Sequence, residues 1–308
     1  RLLDNIARID YPNDRLEIQI LDDSTDETSD VIKRKVIELA NKKLDFSYIH
    51  RVDRAGFKAG ALKEGLNSAK GELIAIFDAD FLPHPDFLKK TVPYFSDNKI
   101  GAVQTRWGYL NRNFSLLTRV QAFAIDAHFT IEQAGRNSKG YFINFNGTAG
   151  IWRKVAILDA GNWESDTLIE DLDLSYRAQV KGWKFKYLED VETPGELPVT
   201  LSAIKVQQFR WMKGGTRNFI KNYKKVISSF LRTPKFNILS KNDIWKQNKY
   251  LTGRINYISV LEGVIALFFL GCLVESVYMK QYVFIYFHAM LFMGFGINSF
   301  LSIIKIAL

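Results

Sequence analysis

Acidic clusters at three points in the chain are the residues best suited to chemistry. They are Asp22-Asp23, Asp78-Ala79-Asp80 and Glu170-Asp171. Carboxylates at alternate positions can bracket Mg²⁺ or Mn²⁺, because both cations take oxygen ligands and keep places for water or phosphate. A carboxylate can also take the proton of an attacking hydroxyl group. These clusters predict metal-assisted transfer chemistry, with Asp78 and Asp80 as the metal ligands.

Each acidic cluster also has a structural alternative. The Asp-x-Asp sequence is a common polar turn, and Asp23 with the residues after it is typical of a helix N-cap. Acids in the first turn of a helix compensate its dipole, which is the role we expect for Asp173. The position of Asp78 at the end of the strongest predicted strand favours the metal-binding interpretation.

Two other segments offer complementary groups. Lys58 lies between Gly56 and Gly60, just before a predicted helix. Backbone amides and an ammonium group there would form a phosphate cradle, although a solvated loop lysine is the simpler alternative. Residues 207–211, Gln-Gln-Phe-Arg-Trp, place amide, guanidinium and indole groups on about one helical turn. An indole can stack on a sugar ring and a guanidinium can bind a diphosphate, although a tryptophan is more often part of a core.

The elements that must position these groups alternate between strand and helix. Predicted strands cover 16–21, 47–50, 72–77, 102–107 and 184–188, and predicted helices cover 26–43, 60–69, 114–134 and 171–181. This alternation predicts an α/β fold with a mostly parallel sheet. Such sheets bind ligands at the carboxyl ends of their strands, where Asp22 and Asp78 lie.

The positive charge of the chain is concentrated in one segment. The 308 residues carry a formal charge of +9, and residues 213–254 contain eleven Lys or Arg against one acid, a net charge of +10. Apolar runs follow and predict transmembrane helices at about 255–274 and 282–304, because twenty residues span a bilayer. A basic segment beside such runs indicates a lipid bilayer as partner and no nucleic acid.

The predicted domain organisation follows from these patterns. Residues 1–202 form a cytosolic catalytic domain, 203–252 form amphipathic interface helices, and 253–308 form transmembrane helices. In the predicted helix 203–231, Phe219 and Tyr223 oppose Lys221, as expected for a helix lying on anionic lipid. The chain begins at Arg1 and ends in apolar sequence, so we expect it to be a fragment of a longer protein.

The four motifs in this order resemble the signature of the membrane-embedded, inverting family-2 glycosyltransferases, which include cellulose, chitin and hyaluronan synthases. The resemblance covers about residues 1–215. Segments 56–62, 145–150 and 207–211 are most similar to cellulose-synthase-like mannan and glucan synthases. The resemblance implies a GT-A, Rossmann-like fold, a nucleotide-sugar donor (GDP-mannose or UDP-glucose), a growing glycan acceptor, and Mg²⁺ or Mn²⁺ as cofactor.

The same resemblance implies roles for particular residues. Asp80 would bind the metal, with Asp78 at the metal or the ribose, and Asp171 would be the general base beside Glu170. The other implied contacts are Asp22, Asp23, Lys58, Gln207 and Arg210 for the donor, and Trp211, Gln208, Asn146 and Gly147 for the acceptor. Ile169 stands where many family members have Thr.

The resulting prediction is a transferase that polymerises a β-linked, β-1,4 polysaccharide by single displacement. Its catalytic domain would face the cytosol at a bacterial inner membrane or a eukaryotic Golgi or plasma membrane. One alternative is a non-processive transferase that adds one sugar to a lipid or short acceptor. A distant alternative is a non-enzymatic basic protein that binds membranes or nucleic acid, which gives no reason for carboxylates at three element ends.

Overall fold

The computed structural model describes residues 1–39 and 44–232. The predicted transmembrane helices lie outside these residues. Within the described part of the chain, no helix has both the length and the apolar character needed to cross a membrane. Two compact units are present: residues 1–201 and 213–223 belong to the first, and residues 202–212 and 224–232 belong to the second.

Among the described residues, six strands and eight α-helices belong to the first unit, and the residues of a ninth helix are divided between the two units. The strands are β1 (Glu17–Asp22), β2 (Asp45–His50), β3 (Leu73–Ile76), β4 (Ile100–Tyr109), β5 (Gly150–Arg153) and β6 (Lys184–Gly195). The helices are α1 (Leu2–Ile6), α2 (Thr28–Leu39), α3 (Phe57–Ser68), α4 (Phe87–Thr91), α5 (Leu116–Ala127), α6 (Ala134–Ser138), α7 (Lys154–Asp159), α8 (Glu170–Val180) and α9 (Leu201–Arg232).

The strands form a parallel pair and a mixed sheet. β1 pairs with β2 in parallel, and the other four strands follow the order β3-β5-β4-β6. β4 and β6 are parallel, whereas β5 runs antiparallel to both of its neighbours. The prediction of a mostly parallel sheet is therefore wrong for its centre, because the sequence pattern did not indicate β5.

Residues 141–145, which precede the Asn146–Gly147 loop, form no strand. The backbone N–H groups of this segment form hydrogen bonds with side chains of α8, and not with the backbone of a neighbouring strand. The Ile143 N–H donates to Oε1 of Gln179, and the Phe145 N–H donates to Oγ of Ser175, each at 3.0 Å. Ile143 and Phe145 are buried, whereas Tyr141 is exposed, and the segment is held in place by a helix.

The sheet has apolar side chains on both faces. On one face, Trp152 of β5 packs with Leu174 and Ala178 of α8. On the other face, Ile151 packs with Val103 and Phe87. Adjacent residues of a strand point to opposite faces, so the short strand β5 contributes to both clusters. This packing fixes the ends of β3 and α8, which carry the acidic clusters.

Three predicted helices have different limits in the structure. Helix α3 begins at Phe57, so Lys58 lies in its first turn and not in the loop before it. The predicted helix 114–134 begins at Leu116 after a capping box of Ser115 and Thr118, and it passes through a π-helical segment, His128–Gln133, into α6. Helix α8 ends before Gly182, whose φ of +100° suits the left-handed end of a helix.

Candidate active site

Asp78 lies two residues after the end of β3 and is fixed by two contacts. Its backbone N–H donates to Oγ1 of Thr148 at 2.9 Å, and its Oδ1 accepts from Nζ of Lys58 at 2.5 Å. The ammonium group reaches the carboxylate because Lys58 lies in the first turn of α3, where the free backbone N–H groups also favour anions. Lysine and aspartate thus form a charged pair at the end of the strand.

The same lysine connects Asp78 to the loop that carries Gly147. Nζ of Lys58 donates to the Gly147 carbonyl oxygen at 3.0 Å. A Cβ atom added to Gly147 would lie 2.9 Å from Oδ2 of Asp171 and 3.5 Å from Nζ of Lys58. Four residues that the sequence placed in a common site, Asp78, Lys58, Gly147 and Asp171, are therefore neighbours in the structure.

The electrostatic surroundings of Asp171 favour its protonated form. Burial, and then the negative charge of Glu170, raise the pKa of Asp171 to about 7, against the opposing effect of Lys58. Both acids lie in the first turn of α8, as predicted. The pKa of Lys58 is raised, because the negative charges of Asp78 and Glu170 outweigh the opposing effect of burial. A carboxyl group with a pKa near neutrality suits a general base.

Asp80 is the acid best placed to meet a cation. It is exposed and lies beside Arg1 and Glu196 at an open pocket of about 220 Å³. Partial removal from water raises the pKa of Asp80, and the charges of Asp78 and Glu196 raise it further. Asp78 and Asp80 offer carboxylate oxygens at alternate positions, and the Asp80 side chain is exposed, so the two residues fit a Mg²⁺ or Mn²⁺ ion.

Asp22 was expected to contact the donor, but in the structure its carboxylate accepts hydrogen bonds from other residues of the protein. Oδ1 accepts from the Ser24 N–H at 2.9 Å, and Oδ2 accepts from the hydroxyls of Ser29 and Tyr48, each at 2.7 Å, with Nδ1 of His50 at 3.1 Å. Burial alone would raise the pKa of Asp22, but these hydrogen bonds hold it far below its usual range. Asp22 is thus a buried structural acid.

The neighbouring Asp23 is paired with an arginine that the sequence did not single out. Arg51 donates from Nε to Oδ1 of Asp23 at 2.8 Å and from Nη2 to Oδ2. The guanidinium also donates to the carbonyl oxygens of Ala55 and Phe57, so it fixes the turn before α3. Asp23 and the Lys58 turn are therefore held together by one buried guanidinium group.

Asn146, predicted to contact the acceptor, lies at the site within a network of side chains. Its backbone N–H donates to Oε1 of Gln104 at 2.8 Å. Its side chain binds Gln133 at 2.8 Å and His128 at 3.1 Å. The π-helical segment supplies both partners, and no sequence motif had indicated either of them.

Asp173 is more than a helix-dipole residue, which corrects the sequence-based expectation. It is fully buried and binds Arg177 at 2.7 Å, Lys221 at 3.1 Å and Asn222 at 2.9 Å. Lys221 also binds Glu164 at 2.6 Å. Lys221 therefore faces protein, whereas the amphipathic pattern placed it on a lipid-facing surface.

This acidic cluster holds an ammonium group at the position where a cation would bind. Carboxylate oxygens of Glu164, Asp166 and Asp173 lie within 4.8 Å of one another. Nζ of Lys221 binds all three residues, which neutralises part of their charge. The cluster therefore connects α8 with residues 213–223 of α9 by ion pairs.

The remaining predicted contacts lie in the second unit. Residues 207–211 form part of α9, as the sequence predicted for this segment. The roles of Gln207, Gln208, Arg210 and Trp211 remain predictions.

Comparison with known proteins identifies the family. The family model described as "Glycosyltransferase like family 2" matches residues 1–214. The chain belongs to glycosyltransferase family 2. This family-2 chain is 43% identical over 241 residues to glucomannan 4-beta-mannosyltransferase 1 of Oryza sativa subsp. japonica, covering 77% of the chain and 46% of that relative. It is 44% identical over 238 residues to glucomannan 4-beta-mannosyltransferase 2 of Arabidopsis thaliana, covering 76% and 44%. The chain thus spans less than half the length of these relatives.

Solved structures confirm the GT-A fold of the family-2 domain. The mannosyltransferase PcManGT from Pyrobaculum calidifontis, in complex with GDP-Man and Mn²⁺, superposes with a TM-score of 0.60 at 19% identity, covering 97% of this chain and 82% of that one. Residues 1–349 of S. aureus TarS, in complex with UDP-GlcNAc, give a TM-score of 0.51 at 14% identity, covering 94% and 85%. At these identities the likeness establishes the fold alone.

Proposed function

We propose that the full protein is an inverting mannosyltransferase that extends a β-1,4-linked glycan with mannose from GDP-mannose. The observation that carries this proposal is the convergence of Lys58, Asp78 and Asp171 around Gly147. The names of the similar plant enzymes support mannose as the sugar and β-1,4 as the linkage. They favour GDP-mannose over UDP-glucose, which the sequence motifs left open.

In the proposed reaction, Asp171 accepts the proton of the acceptor's 4-hydroxyl group. The hydroxyl oxygen forms a bond to the anomeric carbon while the bond from that carbon to the diphosphate oxygen breaks. Attack from the opposite side inverts the anomeric configuration, and GDP leaves with the electron pair. Lys58 stabilises the negative charge that develops on the diphosphate, because its ammonium group is held at the site by Asp78 and Gly147.

We assign Asp78 and Asp80 to a Mg²⁺ or Mn²⁺ ion. When bound, the cation neutralises negative charge on the departing diphosphate. Asp80 is exposed and lies close enough to Asp78 for the two charges to interact, which supports this assignment. Asp78 contributes its carboxylate beside Lys58, so the ammonium group and the metal site lie close to one another.

The remaining assignments follow the family signature. Gln207 and Arg210 bind the donor diphosphate, and Trp211 and Gln208 hold the terminal sugar of the acceptor with Asn146 and Gly147. Asp23 contacts the nucleoside, and Asp22 positions it by fixing the end of β1. The enzyme works at a membrane with its catalytic domain on the cytosolic side, a location supported by the basic segment and apolar runs that follow residue 213.

The test uses the full-length protein in membranes, with GDP-mannose or UDP-glucose in the presence of Mg²⁺ or Mn²⁺. We expect GDP release and a product that a β-1,4-mannanase degrades, with no product from the Asp171→Asn variant. Polymer from UDP-glucose alone would overturn the donor assignment. Addition of a single mannose to a lipid or short acceptor would establish the non-processive alternative.

A further inference from the structure

The π-helical segment His128–Gln133 directs two polar side chains at the same loop. His128 and Gln133 both bind the side chain of Asn146. In a regular α-helix, with about 100° per residue, positions five apart would lie about 140° apart around the axis. The wider π-helical turn brings the first and last residues of the segment closer in angle. The local departure from α-helix therefore serves contacts to Asn146.

Backbone atoms determine the orientation of the Gln133 amide. Its Oε1 accepts from the Asn144 N–H at 3.1 Å, and its Nε2 donates to the Asn144 carbonyl oxygen at 2.8 Å. A backbone N–H only donates and a carbonyl only accepts, so the amide has one possible orientation. Nε2 of Gln133 must then also donate to Oδ1 of Asn146, which lies 2.8 Å away.

The orientation of Asn146 in turn determines the protonation of His128. With Oδ1 of Asn146 directed at Gln133, its Nδ2 donates to Nε2 of His128 at 3.1 Å. Nε2 must therefore carry a lone pair, and the proton of the neutral ring is on Nδ1. Nδ1 donates to Oε2 of Glu132 at 2.8 Å, and Glu132 also pairs with Arg136 at 2.7 Å.

The Glu132 carboxylate is suited to this arrangement. Burial would raise the pKa of Glu132, but the hydrogen bond from His128 and the positive charge of Arg136 lower it overall. The Glu132 carboxylate is therefore ionised, and its two oxygens accept from His128 and from Arg136. The chain of hydrogen bonds from Asn144 to Arg136 is thus complete, with each donor facing an acceptor.

We propose that His128 is a positioning residue for the acceptor. As the neutral Nδ1–H tautomer, it holds the Asn146 amide with its second N–H available to a sugar hydroxyl beside Gly147. The acceptor part of this inference rests on the proposed function. Asn146 is half-buried and its neighbour Gly147 contacts Lys58, so the amide lies at the edge of the site.

The tautomer can be measured without activity. The full-length protein is labelled with ¹⁵N-histidine in lipid nanodiscs, and the signal that disappears in the His128→Asn variant is assigned to His128. We expect a protonated Nδ1 and an unprotonated Nε2 at neutral pH. An Nε2–H tautomer or a doubly protonated ring would overturn the proposal. This measurement separates the hydrogen-bond chain from the question of whether the protein transfers mannose.

Two substitutions test the effect on the acceptor. His128→Gln keeps an acceptor oxygen near the position of Nε2, whereas His128→Asn keeps a donor near Nδ1 and leaves Asn146 without its partner. We expect His128→Asn to raise the KM for a β-1,4-manno-oligosaccharide about 10-fold, the effect of one lost hydrogen bond. His128→Gln should restore most of that loss, and neither variant should change the KM for the donor.

The matched control is His84→Asn, which alters an exposed histidine. It should leave both KM values unchanged. Equal acceptor KM values for His128→Asn and His128→Gln would show that the accepting atom is irrelevant and would overturn the proposal. A parallel rise in the donor KM would assign His128 a general structural role instead.

Discussion

Gly147 and Asp171 are complementary in shape: the missing side chain of the glycine provides the space that the carboxylate occupies. A Cβ at residue 147 would lie 2.9 Å from Oδ2 of Asp171, and the φ of +81° at Gly147 is one that L-residues rarely adopt. Lys58 donates to the carbonyl oxygen of Gly147, and its charge also acts on Asp171. The glycine therefore sets the position of the base.

Gly147→Ala should reduce turnover about 100-fold, because displacing a reacting group by about 1 Å has an effect of that size. Gly140→Ala is a matched control, since Gly140 also has a positive φ, +67°, but an added Cβ would meet nothing within 4 Å. Both variants should lose about 1 kcal/mol of stability from the left-handed backbone. Steady-state GDP release and thermal unfolding separate the two effects, and equal activities would contradict the proposed fit.

The pKa of Asp171 predicts the pH dependence of the reaction. A general base must be ionised, and the pKa of Asp171 is about 7, so kcat/KM should rise as pH increases through about 7. Glu170→Gln removes a negative charge that raises this pKa, and it should move the rise in activity to lower pH. Glu72→Gln, which changes an exposed acid, should leave the profile in place. An unchanged profile in Glu170→Gln would exclude Asp171 as the titrating base.

The stability of the folded protein should also depend on the ionisation of Asp171, but it should fall as pH rises, whereas activity should increase. The pKa of Asp171 is higher in the folded state than the ordinary value of 3.8, so the folded protein binds a proton that the unfolded chain releases. Its contribution to stability is present below about pH 4 and is lost as pH rises through about 7. Asp171→Asn should therefore raise Tm relative to wild type at pH 8, with the difference disappearing towards pH 4. A constant difference across this range would contradict the raised pKa.

The sequence predicted the parts of the site that lie at the ends of strongly patterned elements. Asp78 follows an apolar strand and Asp171 begins a helix, so their positions depend on local sequence alone. It could not predict the partners of Gln133 or Lys221, which lie at least 11 and at least 48 residues away in sequence. Such pairings depend on how elements pack, which hydrophobic periodicity does not encode.

The predictions that were wrong concern features that depend on the packing of distant elements and not on local sequence. Strand β5 has four residues and contains Gly150, too short a segment to give an alternating pattern. The amphipathic pattern of α9 placed Lys221 on a polar face but could not show whether that face meets solvent, lipid or acids. The Asp22 carboxylate was found by its position at a strand end, while the five donor groups around it come from four residues after it in sequence.

Lys58 should control donor binding more than acceptor binding. Lys58→Ala removes an ammonium group that contacts Asp78 and Gly147, and a charged hydrogen bond contributes about 1.5–3 kcal/mol. We therefore expect the KM for GDP-mannose to rise about 10- to 100-fold. Lys63→Ala, an exposed lysine on the same helix, is the control. A normal donor KM in Lys58→Ala would remove this residue from the diphosphate site.

The ion pairs between α8 and α9 should be needed for stability, because Asp173 is fully buried. Lys221→Met removes an ammonium group from Glu164, Asp166 and Asp173 together, while Arg177 remains to pair with Asp173. An unbalanced buried charge is destabilising, and the loss should be about 1–3 kcal/mol, visible as a lower Tm. Lys225→Met changes an exposed lysine on the same helix and should leave Tm unchanged. If Lys221 bound lipid, both variants would weaken binding to anionic vesicles equally and Tm would not distinguish them.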